Sequence, residues 1–68
     1  MPSTAVRDIK YDPSSQTLWV TFVPTGKRYA YRFVPVAVYD EFIHAFSKGV
    51  YFNRFIRDRY DYSEVEAE

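Results

Sequence analysis

The chain has 68 residues, enough for one small domain whose burial is fractional and whose stability is slender. It has no cysteine, so disulfides and thiolate metal sites are excluded, and no apolar run approaches the roughly 20 residues that span a bilayer. Nine Lys and Arg balance nine Asp and Glu to a formal net charge of zero, which argues against strong non-specific binding to polyanions.

Met1-Pro2-Ser3-Thr4 carries neither the basic nor the apolar part of an export signal, so a cytoplasmic protein is expected. The alternation of residues 5–11 predicts a first strand. Asp12-Pro13-Ser14-Ser15 is turn chemistry: proline fixes φ, while the Asp and Ser side chains bond nearby backbone. Residues 17–23 (Thr-Leu-Trp-Val-Thr-Phe-Val) are rich in β-branched and aromatic side chains and predict the strongest strand. Pro24-Thr25-Gly26-Lys27 reads as a tight turn with Thr25-Gly26 as its loop and Gly26 at positive φ. Residues 28–34 predict a third strand, and three strands joined by short turns make an antiparallel meander.

That loop sets a register. Val23 lies opposite Arg28, Phe22 opposite Tyr29, Val20 opposite Tyr31 and Leu18 opposite Phe33. Alternation then gathers Leu18, Val20, Phe22, Tyr29, Tyr31 and Phe33 on one apolar face, with Ile9 and Tyr11. The other face takes Trp19, Thr21, Val23, Arg28, Ala30 and Arg32, with Trp19 across from Arg32 and Lys10 beside them.

After Val34-Pro35 the period changes. Val36, Tyr39, Phe42, Ile43 and Phe46 recur at helical spacing, Pro35 suits the first turn, and Asp40 and Glu41 lie early, where the helix dipole favours them. Gly49 is expected to stop this helix at positive φ. A second helix over about 51–59 turns Phe52, Phe55 and Ile56 inward and Arg54 and Arg57 outward. The fold class is therefore α+β, in the order β-β-β-α-α, with both helices on one face of a three-stranded sheet. Residues 1–60 form the domain and hold all nine basic residues against five acidic ones. Residues 61–68 hold Asp61, Glu64, Glu66 and Glu68 and no positive charge; they read as an acidic tail that frays or folds back over a basic rim.

No enzyme is expected. His44 is the only histidine, with Asp40 one turn before it, and pairing it with Ser47 would still require an orienting carboxylate and an oxyanion site. Gly26 and Gly49 are the only glycines, which excludes a phosphate-cradling loop, and neither a metal site, a cofactor nor a small-molecule substrate is expected. Two basic, aromatic-edged surfaces remain. On the open sheet face, Lys10, Arg28 and Arg32 surround Trp19, an arrangement that lets a base stack on the indole while guanidinium groups meet phosphates. On the second helix, Arg54 and Arg57 stand with Tyr51 and Asn53 as polar neighbours. The rival reading is a protein-interaction module or homodimer, in which Val6, Trp19, Val23 and Ala30 make an apolar patch on the open face.

The elements also match a known pattern. Ile9-Lys10-Tyr11-Asp12, Leu18-Trp19-Val20-Thr21-Phe22, Tyr29-Ala30-Tyr31, Val34-Pro35-Val36 with Val38-Tyr39, and Ser47-Lys48-Gly49-Val50-Tyr51-Phe52-Asn53 with Ile56-Arg57 resemble the KTSC domain. That short module is found at the C-terminus of some lysyl-tRNA synthetases and as a stand-alone bacterial protein, and Tyr-x-Tyr is its hallmark. The resemblance covers nearly the whole chain and implies a small domain without an established reaction, for which RNA binding is the suggested role. Each element is weak alone; the order and spacing of the set are specific.

Overall fold

A computed structural model describes residues 5–66. In chain order the elements are β1 (Ala5–Asp12), β2 (Thr17–Val23), β3 (Arg28–Tyr31), α1 (Val36–His44), α2 (Lys48–Phe55) and β4 (Tyr62–Val65). The strands form one antiparallel sheet in the order β1-β2-β3-β4, and the helices pack on one of its faces.

The first turn closes through Asp12, whose carboxylate accepts from the Ser14 amide and from the Ser14 and Ser15 hydroxyls at 2.9–3.1 Å. Those bonds favour the ionised form and hold its pKa below the usual carboxylate value. From this turn β1 and β2 pair as the alternation requires, Ile9 opposite Val20 and Lys10 opposite Trp19. A bulge between Val6 and Asp8 interrupts the pairing, and Val6 lies opposite Phe22, packed against the core.

The second hairpin corrects the expected register. Its loop is longer than two residues: the Gly26 amide donates to the Phe22 carbonyl at 2.8 Å, and the Phe22 amide donates to Lys27 at 2.9 Å. Leu18 therefore faces Tyr31 and Val20 faces Tyr29, a slip of two residues. Because the side-chain period is also two, no residue within the paired strands changes face. Gly26 has the anticipated positive φ, +75°. Phe33, expected in the core, falls beyond the shortened β3, has φ +59° and is 72% exposed.

The helices also depart from expectation. Pro35 is the N-cap of α1 rather than its first residue, and Asp40 and Glu41 lie past the first turn. The helix stops at His44 because Ala45 is extended, which throws Phe46 into solvent at 107% exposure and breaks the expected apolar stripe. Ser47 then starts α2 as an N-cap, its hydroxyl accepting from the Val50 amide at 3.3 Å. Gly49 thus lies in the first turn of α2, not at the end of α1, and its φ is not positive. Phe55, expected inward, is exposed.

Leu18, Val20, Tyr31, Val34, Phe42, Phe52 and Ile56 form the buried core. Tyr11 locks α1 onto β1 by stacking on Tyr39 at 4.5 Å and donating its hydroxyl to the Val34 carbonyl at 2.6 Å. The acidic segment is the largest correction. Instead of fraying, residues 62–65 pair with β3, Tyr62 opposite Tyr31 and Val65 opposite Arg28, which makes a fourth strand; residues 67–68 lie outside the described residues.

Candidate nucleic-acid interface

The register assembles the open face row by row. Lys10, Trp19, Ala30 and Ser63 lie side by side across the four strands, and Asp8, Thr21, Arg28 and Val65 form the next row. Trp19 therefore faces Ala30, not Arg32 as expected. Arg28 is its diagonal neighbour on one side, and Arg32 follows β3 with the same parity on the other. The helices pack on the opposite face, yet Ala30 and Thr21 are only 4% and 5% exposed. Thr21 is covered by its neighbour: the Arg28 Nε donates to the Thr21 hydroxyl at 3.2 Å, laying the guanidinium stem along the sheet. Arg32 is exposed and anchored by its backbone, its amide donating to the Asp61 carbonyl at 2.9 Å.

Lys10, Trp19, Arg28 and Arg32 thus share one surface. Tyr51, Asn53, Arg54 and Arg57 belong to the helix layer on the other side of the sheet, so the two basic groups do not merge. Within the second group, Tyr51 is already committed. Its ring stacks on Phe42 at 5.8 Å, and its hydroxyl donates to Glu41 Oε1 at 2.8 Å, tying α2 to α1. Burial, then the bond to Glu41, pushes its pKa up to about 12. Asn53 is exposed but not without a partner. Arg54 and Arg57 are exposed.

The apolar patch of the rival reading is not assembled as expected. Val6 packs towards the core and Val23 lines a cleft with Phe22 and Tyr29, which leaves only Trp19 and Ala30 of the four together. The lone histidine is occupied by its own helix: His44 Nδ1 is hydrogen-bonded to the Asp40 carbonyl at 2.8 Å and stands 3.5 Å from its carboxylate.

One feature escaped sequence reasoning. Phe22, Tyr29, Tyr31 and Phe52, counted as core, line an open cleft of about 420 Å³ together with Tyr62, Arg57 and Asp58. The signal lay in the Tyr-x-Tyr pair and in Tyr62, which alternation places on the same face only once β4 is recognised as a strand.

Comparison with known proteins follows the same outline. The family model described as the KTSC domain matches residues 2–60. A lysine–tRNA ligase of Nostoc sp. is 37% identical over 60 residues, and one of Trichormus variabilis is 35% identical over the same length. Each match covers 88% of this chain and 10% of the ligase, so the chain spans about a tenth of the length of these relatives. The crystal structure of the KTSC domain protein YPO2434 from Yersinia pestis superposes with a TM-score of 0.87 at 29% identity, covering 97% of this chain and 92% of that one. No helix among the described residues is long and apolar enough to cross a membrane.

Proposed function

The chain belongs to the KTSC domain family, and from that premise we propose that it is a small non-catalytic module that binds single-stranded RNA on its open sheet face. The observation that carries this reading is the row Lys10–Trp19–Ala30 flanked by Arg28 and Arg32, on the face the helices leave uncovered. An indole accepts the flat face of any base, and the neighbouring cations meet the phosphates on either side of it. Ala30, beside Trp19, keeps the platform low enough for a base to approach.

Two further points support it. The relatives are named for a reaction on tRNA, and the matched segment is a tenth of their length, the share of an accessory module rather than of a catalytic body. Zero net charge suits local recognition in place of a strong field.

The test is a titration of fluorescently labelled single-stranded RNA at low and moderate salt, followed by anisotropy. Trp19→Ala weakens binding by about 1–3 kcal/mol, the usual worth of one base–aromatic stack. Arg28→Ala and Arg32→Ala each flatten the dependence on salt, because each removes a phosphate contact. Arg54→Ala, on the far side of the sheet, leaves affinity unchanged. Absence of binding at low ionic strength sinks the reading, and a concentration-dependent dimer that occludes Trp19 turns it towards the interaction module.

A further inference from the structure

The cleft on the helix side of the sheet is unused by RNA binding at Trp19. Its wall is a closed cycle of five rings. Phe22 meets Tyr29 at 5.9 Å, Tyr29 meets Tyr62 at 5.8 Å, and Tyr62 stacks on Tyr31 at 5.3 Å. Tyr31 meets Phe52 at 5.5 Å, and Phe52 returns to Phe22 at 5.0 Å. Every one of these rings sits on a strand or on α2, so the wall is formed in advance. A volume of about 420 Å³ falls within the roughly 300–1,000 Å³ of small-molecule sites.

Two opposite charges share the mouth. Arg57 and Asp58 both line the cleft; burial is what mainly raises the Tyr31 phenol, with smaller effects from the guanidinium, which favours its ionisation, and the carboxylate, which opposes it. Among the described residues no ion pair joins them to each other. A simple anion entering here would meet Asp58, a simple cation would meet Arg57, and an apolar guest would strip water from both without replacing it. A guest with both charges on one carbon satisfies the two together.

We propose that this cleft binds a free α-amino acid with an aromatic side chain. Its carboxylate meets the Arg57 fork, its ammonium meets Asp58, and its ring lies against the aromatic wall in the edge-to-face manner the wall already shows. A cationic side chain would add an unbalanced positive charge beside Arg57, which favours a neutral ring. Peptides fit less well, since neither terminus carries both charges. The site lies across the sheet from Trp19 and does not depend on RNA binding there.

The experiment is a titration of the isotope-labelled full chain with L-phenylalanine, followed by NMR at Tyr29, Tyr31, Phe52, Arg57, Asp58 and Tyr62. Saturable shifts confined to these residues are expected at millimolar ligand. Phenethylamine lacks the carboxylate and hydrocinnamate lacks the ammonium; each binds about tenfold more weakly or worse, the loss of one charge-assisted contact. Asp58→Asn and Arg57→Gln, both at exposed positions, weaken binding to a similar degree, whereas Trp19→Ala leaves it unchanged. No saturable shift in the folded parent overturns the site. Equal binding of either truncated ligand overturns the paired-charge assignment, and tighter binding of L-lysine overturns the aromatic side chain.

Discussion

The two faces of the sheet use the same strands for opposite ends. On the covered face, aromatic and branched side chains from β1, β2 and β3 meet α1 and α2, and almost every ring touches another ring. On the open face, one ring stands among cations and small residues, with neither α1 nor α2 over it. The covered face tolerates variation in pairing, because a slip of two residues exchanges one apolar neighbour for another. The open face does not, since the same slip replaced Arg32 by Ala30 opposite Trp19 and changed the chemistry at its centre. Packing specifies parity; turn geometry specifies neighbours.

The strongest test of the covered face is Phe42, fully buried at the meeting of α1, α2 and the core. Phe42→Ala is expected to cost about 3–5 kcal/mol in urea unfolding, the loss of a large ring plus the cavity it leaves. For a domain of this size that removes most of the stability. A loss below about 1 kcal/mol would mean that the helices do not seal this face.

The hairpin that set the neighbours is tested next. Gly26 has φ +75°, and a Cβ built there meets nothing within 4 Å, so any cost of Gly26→Ala is backbone strain alone. About 1 kcal/mol is expected from the left-handed backbone. Gly49 carries no such penalty, because it lies in a helical turn. If thermal melting ranks Gly49→Ala as the more strained of the two, the Ser47 cap is misplaced.

These outcomes show what was legible. Parity, the identity of the meander, the Asp12 turn and six of the buried side chains, Leu18, Val20, Tyr31, Phe42, Phe52 and Ile56, could be read from local pattern. The two-residue slip could not, since a four-residue loop and a two-residue loop leave the same alternation. The strand in the acidic segment was hidden by its composition: Tyr62 and Val65 are its only apolar members, and what holds it is the unpaired edge of β3. Of the proposed interface, Lys10, Trp19, Arg28 and Arg32 were recognisable as one surface because parity alone groups them. The second basic group was legible only as a list, because Tyr51 is spent on Glu41 and the cleft beside Arg57 exists only once β4 is in place.

Alkaline pH reports on two phenols, Tyr31 and Tyr51. Burial raises Tyr31 and Tyr51 from 10.0 to about 12. Between those values the unfolded chain releases both protons while the folded chain keeps them, so unfolding is favoured as pH rises. Stability is therefore whole below pH 10 and declines from there towards pH 12, which urea midpoints across this window will show. Tyr51→Phe shallows the decline by one titrating group, to a degree limited by the solvent that reaches Tyr51.

The smallest expected effect is the most discriminating. Phe42 and Phe46 stand one helical turn apart in sequence, and periodicity treats them as equals. The structure ends α1 at His44, and the extended Ala45 turns Phe46 fully into solvent while Phe42 stays at zero exposure. Phe46→Ser should therefore change stability by no more than about 0.5 kcal/mol, the range of surface substitutions. Composition alone does not predict this neutrality, since a ring of the same type four residues earlier carries several times that value. A loss comparable to that of Phe42→Ala would mean that α1 runs on through residue 46 in solution, which would carry Ser47 out of its cap and return Gly49 to the end of the first helix.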